Sequence, residues 1–168
     1  GLLYPKDNPL SKGTVEMKYM TAKEEDILSN QSFIKNGVVL DKLFKALIVS
    51  KCDFNDLLLC DKNAIMIAAR VLGYGKDYEA SFVSPTTGDP IQHTIDLTQI
   101  AEKEIDWSVH EAGKNEFPLT LPNSKRTVTL RLMTQRIQKS YDKEIKGLAK
   151  LKKTAPSSTL LKYVITSL

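Results

Sequence analysis

The sequence predicts an α+β fold, with antiparallel hairpins packed against several helices and a long amphipathic helix near the C-terminus. Three observations carry this. Two pairs of strand-like segments each flank strong turn chemistry, SPTTGDP at 84–90 and Pro122, Asn123 and Ser124 further on. Leu40, Leu43, Phe44, Leu47 and Ile48 recur at the spacing of one helix face. Ile137, Tyr141, Ile145 and Leu148 repeat that pattern opposite a stripe of lysines. The 168 residues are 42% hydrophobic and 26% charged, enough apolar material for one domain with a core. With eight Gly and two Cys, collagen-like and disulfide-scaffold classes are excluded.

Along the chain, residues 1–12 read as an N-terminal extension with a turn at Pro5 to Pro9. Residues 13–20 alternate, Val15, Met17 and Tyr19 against Thr14, Glu16 and Lys18, as a half-buried strand does. Thr21 followed by Glu24 is a capping box that opens a first helix. A second helix is expected over 33–49, with Gly37 dividing it from a short preceding turn. Asp61 reads as the N-cap of a third helix, 61–72, apolar on more than one face and so the most buried of the set; Gly73 and Gly75 stop it. Residues 78–83 and 91–97 form the first hairpin, 97–105 a short helix, and 116–121 with 126–133 the second hairpin. The long helix covers 134–152. After a linker at 154–158, residues 160–168 are apolar enough to dock as either a strand or a helix. The expected organisation is one domain, 1–168, with a strand and helical core to residue 75, a hairpin-rich part over 76–133, the amphipathic helix over 134–153 and a tail over 154–168.

Residues 14–21, TVEMKYMT, echo residues 127–134, TVTLRLMT. Each reads as a strand running into a Thr-capped helix. Two equivalent units, neighbours in one sheet, would produce the echo; so would convergence on common local physics.

Charge is uneven. Residues 125–153 hold ten Lys or Arg against Asp142 and Glu144, so in a chain of net charge +4 the remainder is acidic. Lys139, Lys143, Lys146, Lys150 and Lys153 fall at spacings of four and three, one helix face that solvation alone explains. No aromatic interleaves them as a base-stacking platform would require. Cys52 and Cys60 are expected to be reduced, buried thiols; with His93 and His110 they lack metal-ligand spacing, so no metal or other cofactor is expected. No apolar run reaches the roughly 18 residues of a membrane span, and no signal-peptide pattern opens the chain. The chain starts at Gly1 rather than Met, so processing or a missing N-terminus is expected. Phosphate-loop, dinucleotide, nucleophile-elbow and HExxH patterns are absent. His93 and His110 are the remaining candidate bases.

Four segments in order carry a resemblance: GLLYP at 1–5, GTVEMKYMTAKEEDIL at 13–28, DLLLCDKNAIMIAARVLGYGKDYE at 56–79 and RTVTLRLMT at 126–134. Together they resemble the baseplate hub subunit or hub assembly chaperone family of T-even-type contractile-tailed bacteriophages. That family often carries a zinc-ribbon-like CPxCG turn where this chain has Ser84, Pro85, Thr86, Thr87 and Gly88. Hydroxyls are poor zinc ligands, so the turn is expected to act as hairpin geometry.

The resemblance implies a non-enzymatic role through protein–protein contacts with other tail or baseplate proteins, or with further copies in a symmetric assembly, in the virion tail or in the host cytoplasm during assembly. The expected contact surfaces are residues 1–9, the helix bearing Lys139, Lys143, Lys146 and Lys150, and the tail bearing Leu160, Leu161, Val164 and Leu168. Two alternatives stand beside it. One is a nucleic-acid-binding accessory protein using the basic stripe 139–153. The other is a hydrolase using His93 or His110.

Overall fold

Thr21 caps the first helix, α1 (Ala22–Ser29), through the capping box that its sequence predicts. A computed structural model of the chain describes every residue except 102, 103, 155 and 168. The fold is α+β, with 45% helix and 18% strand. Backbone contacts group the chain, expected as one domain, into two compact units. One holds Gly1–Val15, Ser50–Lys62 and Asp106–Leu168; the other holds Glu16–Val49 and Asn63–Ile105.

In the second unit, α1 is followed by α2 (Gln31–Lys35) and α3 (Val39–Leu47). The single helix expected over 33–49 is thus two. Gly37 sits between them at φ +67°, a left-handed position that side chains with a Cβ adopt at a cost. The spacing of α3 works as predicted: Leu43, Phe44 and Leu47 are buried on one face, which packs against α1. The strand expected over 13–20 does not form. Met17 makes one antiparallel bridge to Ile48, closed by Lys18 N–H to Leu47 O and Val49 N–H to Glu16 O, both 2.9 Å. The chain after α3 bends at Ser50, and Tyr19 is 71% exposed.

Helix α4 (Leu59–Tyr74) begins two residues before the expected Asp61 cap, and the boundary between the units falls within it. It is not the most buried helix. Only Ile65 and Ala69 are buried, because its apolar residues spread around the axis while one narrow face is covered. Arg70 donates to Gly75 O at 3.0 Å and Asp77 O at 3.3 Å, and stacks its guanidinium over Tyr74 and Tyr78 at 5.1 and 5.9 Å. It thereby fixes the exit of α4 into β1 (Asp77–Val83). This strand pairs with β2 (Pro90–Asp96) in the predicted hairpin, Tyr78 opposite Ile95 and Phe82 opposite Ile91. In the turn, the buried Ser84 hydroxyl accepts from Thr86 N–H (3.4 Å) and Thr87 N–H (3.2 Å), and Gly88 takes φ +77°. The serine at the position where the resemblance would place a cysteine thus caps the turn. Of the helix expected over 97–105, the described residues show a 3₁₀ turn at Leu97–Gln99; residues 102 and 103 lie outside them.

The first unit gathers Leu3, Tyr4, Leu10, Phe54, Leu57, Leu58 and Val128 into its core. Asn8 caps a 3₁₀ turn at Pro9–Lys12, and Asp53 caps another at Phe54–Asp56. The second predicted hairpin is β3 (Phe117–Thr120) with β4 (Thr127–Leu130). Thr134 caps the long helix α5 (Gln135–Lys150), its hydroxyl accepting from Ile137 N–H at 3.3 Å. The tail resolves the open choice by being both: α6 (Ser158–Val164), then β5 (Ile165–Ser167), which pairs antiparallel with β4. The echoed segments are not neighbours in a sheet. Residues 127–130 pair with β3 and β5, whereas residues 14–21 make only the Met17 bridge among the described residues.

Glu24 is 2% exposed although it sits in the first turn of a surface helix. Its carboxylate accepts from Lys18 Nζ at 2.8 Å, from Thr21 N–H at 2.9 Å and from the Thr21 hydroxyl. The Lys18 bond, then the two from Thr21, hold its pKa down to about 2 from an ordinary 4.5. A carboxyl depressed in the folded state stabilises it fully above the unfolded value, and that contribution is lost as pH falls from 4.5 towards 2. Glu24→Gln is therefore expected to lower stability at neutral pH and to flatten its acid dependence over that window. Urea unfolding at a series of pH values measures both; an unchanged acid limb would remove Glu24 from the account.

Candidate functional site

Of the residues expected on a contact surface, Lys143, Lys146 and Lys150 lie exposed along α5 and pair with no carboxylate among the described residues. Lys139 is tied down instead. It donates to Asn55 Oδ1 at 2.9 Å and lies 5.9 Å from the centre of the Phe54 ring. One turn earlier, Arg136 bridges Asp53 at 2.8 Å and Asp56 at 2.9 Å, so the start of α5 is locked to the 3₁₀ turn at Phe54–Asp56. The opposite stripe, Ile137, Tyr141, Ile145 and Leu148, is half-buried, and Tyr141 meets Tyr163 of α6 edge to face at 5.8 Å. Tyr163 and Lys162 both donate to Glu144, at 2.6 and 2.9 Å, which fixes α6 along α5.

That seating leaves Leu160 and Leu161 outward, 41% and 50% exposed. Val164 is half-buried and its carbonyl accepts Arg131 N–H at 2.8 Å, so it belongs to the joint with β4. Leu168 lies outside the described residues. The N-terminal segment is anchored at two residues and otherwise mostly exposed. Leu3 and Tyr4 are buried, and the Tyr4 hydroxyl donates to the Asp61 carboxylate while accepting Leu58 N–H at 2.9 Å. Burial first, and then Asp61, push the Tyr4 pKa upward.

His93 lies on β2, and His110 follows a 3₁₀ turn at Trp107–Val109. His93 is exposed on β2 opposite Ala80, whereas Ser81 pairs with Gln92 and projects from the other face of the ribbon. The depression there, about 280 Å³, is lined by residues from both faces, Glu79 and Thr94 among them, and so runs along the ribbon rather than into the fold. His110 sits between Trp107 and Phe117, ring centres at 5.6 and 5.1 Å, beside a cavity of about 60 Å³ that is far below the roughly 300 Å³ of a typical ligand pocket. Neither imidazole makes a hydrogen bond or ion pair among the described residues.

The cysteines depart from expectation. Cys60 is exposed and Cys52 half-buried, both free, because α4 starts early enough to turn Cys60 outward in its first turn. Desolvation and then neighbouring aspartates, Asp53 and Asp56 for Cys52 and Asp61 for Cys60, raise both thiol pKa values. A thiol held protonated is a poor nucleophile. Among the described residues no group of three His, Cys, Asp or Glu side chains could hold a metal ion, and no helix is long and apolar enough to cross a membrane.

The first hairpin carries an exposed apolar face whose use the sequence did not reveal. Tyr78, Phe82, Ile91 and Ile95 share one face of the β1–β2 ribbon and are 45%, 49%, 39% and 37% exposed. Of the ribbon's fourteen positions, Ala80 and Asp96 alone are even half-buried. An isolated two-stranded ribbon is marginal in water, so an apolar face left open on one is unusual. The period-2 pattern announced the face; nothing local could announce that no helix covers it.

Compared with protein-family models, with curated proteins and with solved structures, the chain matches none.

Proposed function

We propose that this protein is a non-enzymatic subunit or assembly chaperone of a contractile-tail baseplate hub, of the T-even bacteriophage type, acting by protein–protein contact. The observation that supports this is the apolar face of the β1–β2 ribbon, exposed at Tyr78, Phe82, Ile91 and Ile95. A face of that kind is stabilised when a partner covers it, and large exposed apolar patches mark interaction sites. The sequence resemblance, which runs from residue 1 to about residue 152, supplies the kind of assembly.

The test is made in the phage that encodes the chain. With its gene interrupted by a suppressible stop, infected cells are expected to accumulate tail parts without complete baseplates, as seen by electron microscopy of lysates. Complete tails in non-suppressing cells overturn the proposal. Peptide quantitation in purified particles then separates a resident subunit, present at a few copies, from a chaperone that is absent from particles and abundant in cells.

A further inference from the structure

We propose that two copies of this chain pair along the outer backbone edge of β1, antiparallel about a twofold axis at Ala80, and so join their ribbons into one four-stranded sheet. The inference does not rest on the baseplate reading. It concerns the edge of the ribbon and leaves the apolar face open.

The register defines that edge. β1 and β2 pair without a break from Asp77 opposite Asp96 to Val83 opposite Pro90, and no further strand joins them among the described residues. Ser84 N–H donates to Asp89 O and Leu97 N–H to Lys76 O, each at 2.9 Å, so the even-numbered residues of β1 turn their backbone groups towards β2. Those of Asp77, Glu79, Ser81 and Val83 point outward. The Asp77 carbonyl agrees, since it accepts from Arg70 of α4 at 3.3 Å. Glu79 and Ser81 are exposed, and their outward N–H and C=O groups meet no protein partner among the described residues. Edge strands are commonly guarded by proline, lysine or a bulge. Asp77–Val83 has none of the three. The edge of β2 is guarded, because its outward residue Pro90 has no N–H to donate.

A second copy is the partner because β1 is its own complement. In the antiparallel register centred on Ala80, Glu79 of one copy faces Ser81 of the other and Asp77 faces Val83, so outward backbone groups meet outward backbone groups. Tyr78 faces Phe82 twice, and aromatic cross-strand pairs stabilise a sheet. Neighbouring registers lose this. A slide of two residues one way sets Glu79 opposite Glu79; the other way sets Phe82 opposite Ala80 and carries Tyr78 past the end of the strand. Two strands alone are marginal in water, whereas three or more with an apolar face can be stable. The contact is isologous and closes at two copies.

The experiment is sedimentation velocity on the purified full chain over a dilution series. Wild type is expected to show a reversible monomer–dimer equilibrium and nothing larger. Ser81→Pro deletes an outward N–H and sets a ring on the pairing edge while sparing the β1–β2 bonds, and is expected to be monomeric. Gln92→Pro makes the same change on the outer edge of β2 and is expected to dimerise like wild type. A wild-type chain that stays monomeric at every concentration overturns the proposal. So do species larger than a dimer, a Ser81→Pro chain that still dimerises, or a folded Gln92→Pro chain that does not. If circular dichroism shows that Ser81→Pro has lost its fold, a charge test takes its place. Ser81→Glu, which faces Glu79 twice, is expected to weaken the dimer about fivefold, and Ser81→Lys to tighten it by about as much. Equal affinity of those two variants overturns the pairing. Failure here is distinct from failure of the functional reading. A monomer still required for complete baseplates overturns only the pairing, and a dimer dispensable for tails overturns only the baseplate role.

Discussion

Phe44→Ala is expected to destabilise the unit built on α1 and α3 by about 3–5 kcal/mol, the range for truncating a buried aromatic side chain. Phe44 is 0% exposed, at the centre of the α3 face that also buries Leu43 and Leu47. Alanine removes most of that apolar surface and leaves a cavity that the neighbouring helix can only partly refill. Against a total stability of about 5–15 kcal/mol, such a loss is a large fraction of what holds a domain together. Chemical unfolding followed by circular dichroism measures it. Hydrogen exchange localises it, with amides of α1 and α3 expected to lose protection. Leu40→Ala, on the same helix but 36% exposed, is the control and is expected to cost far less. Equal losses for the two would mean that α3 is not the centre of its unit's core.

Tyr4→Phe is expected to cost the other unit about 1–3 kcal/mol, although it deletes one oxygen and keeps the ring. The Tyr4 hydroxyl accepts Leu58 N–H at 2.9 Å in a buried setting, and it also donates to Asp61. Phenylalanine fills the same space and satisfies neither group, so a buried donor is left without an acceptor. The pH dependence gives a second reading. The folded state raises the Tyr4 pKa above its ordinary 10, so the stability tied to the neutral hydroxyl is complete below pH 10 and declines as pH rises beyond it. The variant has nothing to titrate at this position and is expected to lose less over that alkaline range. Urea unfolding at neutral and alkaline pH checks both parts. A Tyr4→Phe protein as stable as wild type at neutral pH would mean that water reaches Leu58 N–H and that the N-terminal segment is only lightly held.

The elements that read clearly in the sequence were those whose causes are local. Both hairpins came from alternation closed by turn residues, and Ser84 and Gly88 supply the geometry that their chemistry allows. The caps at Thr21 and Thr134, the amphipathic α5 and the buried stripe of α3 likewise depend on residues a few positions apart. The surfaces were only partly legible. Lys143, Lys146 and Lys150 stand outward as helical spacing requires, but Lys139 is held by Asn55, which is distant in sequence. The N-terminal segment, polar around Pro5 to Pro9, is nonetheless pinned by Tyr4 to Asp61.

Tertiary structure decided the rest, for one physical reason: pairing and burial are properties of two partners. Residues 13–20 alternate as a strand does, yet the chain beyond α3 offers Met17 a single bridge, so no ladder grows. The apolar tail contains both answers, and the free edge of β4 makes Ile165–Ser167 a strand after α6. Helix α4 is apolar on several faces but is covered on one, which turns Cys60 outward and leaves Met66 and Leu72 exposed. Glu24, a residue that belongs in solvent by type, is buried because Lys18 and Thr21 together satisfy its charge. By itself the sequence determined the two hairpins, the caps at Thr21 and Thr134, the apolar stripes of α3 and α5 and where the charge lies. Only the folded chain decided which apolar faces are covered, because coverage depends on what else arrives at a face and not on the face itself.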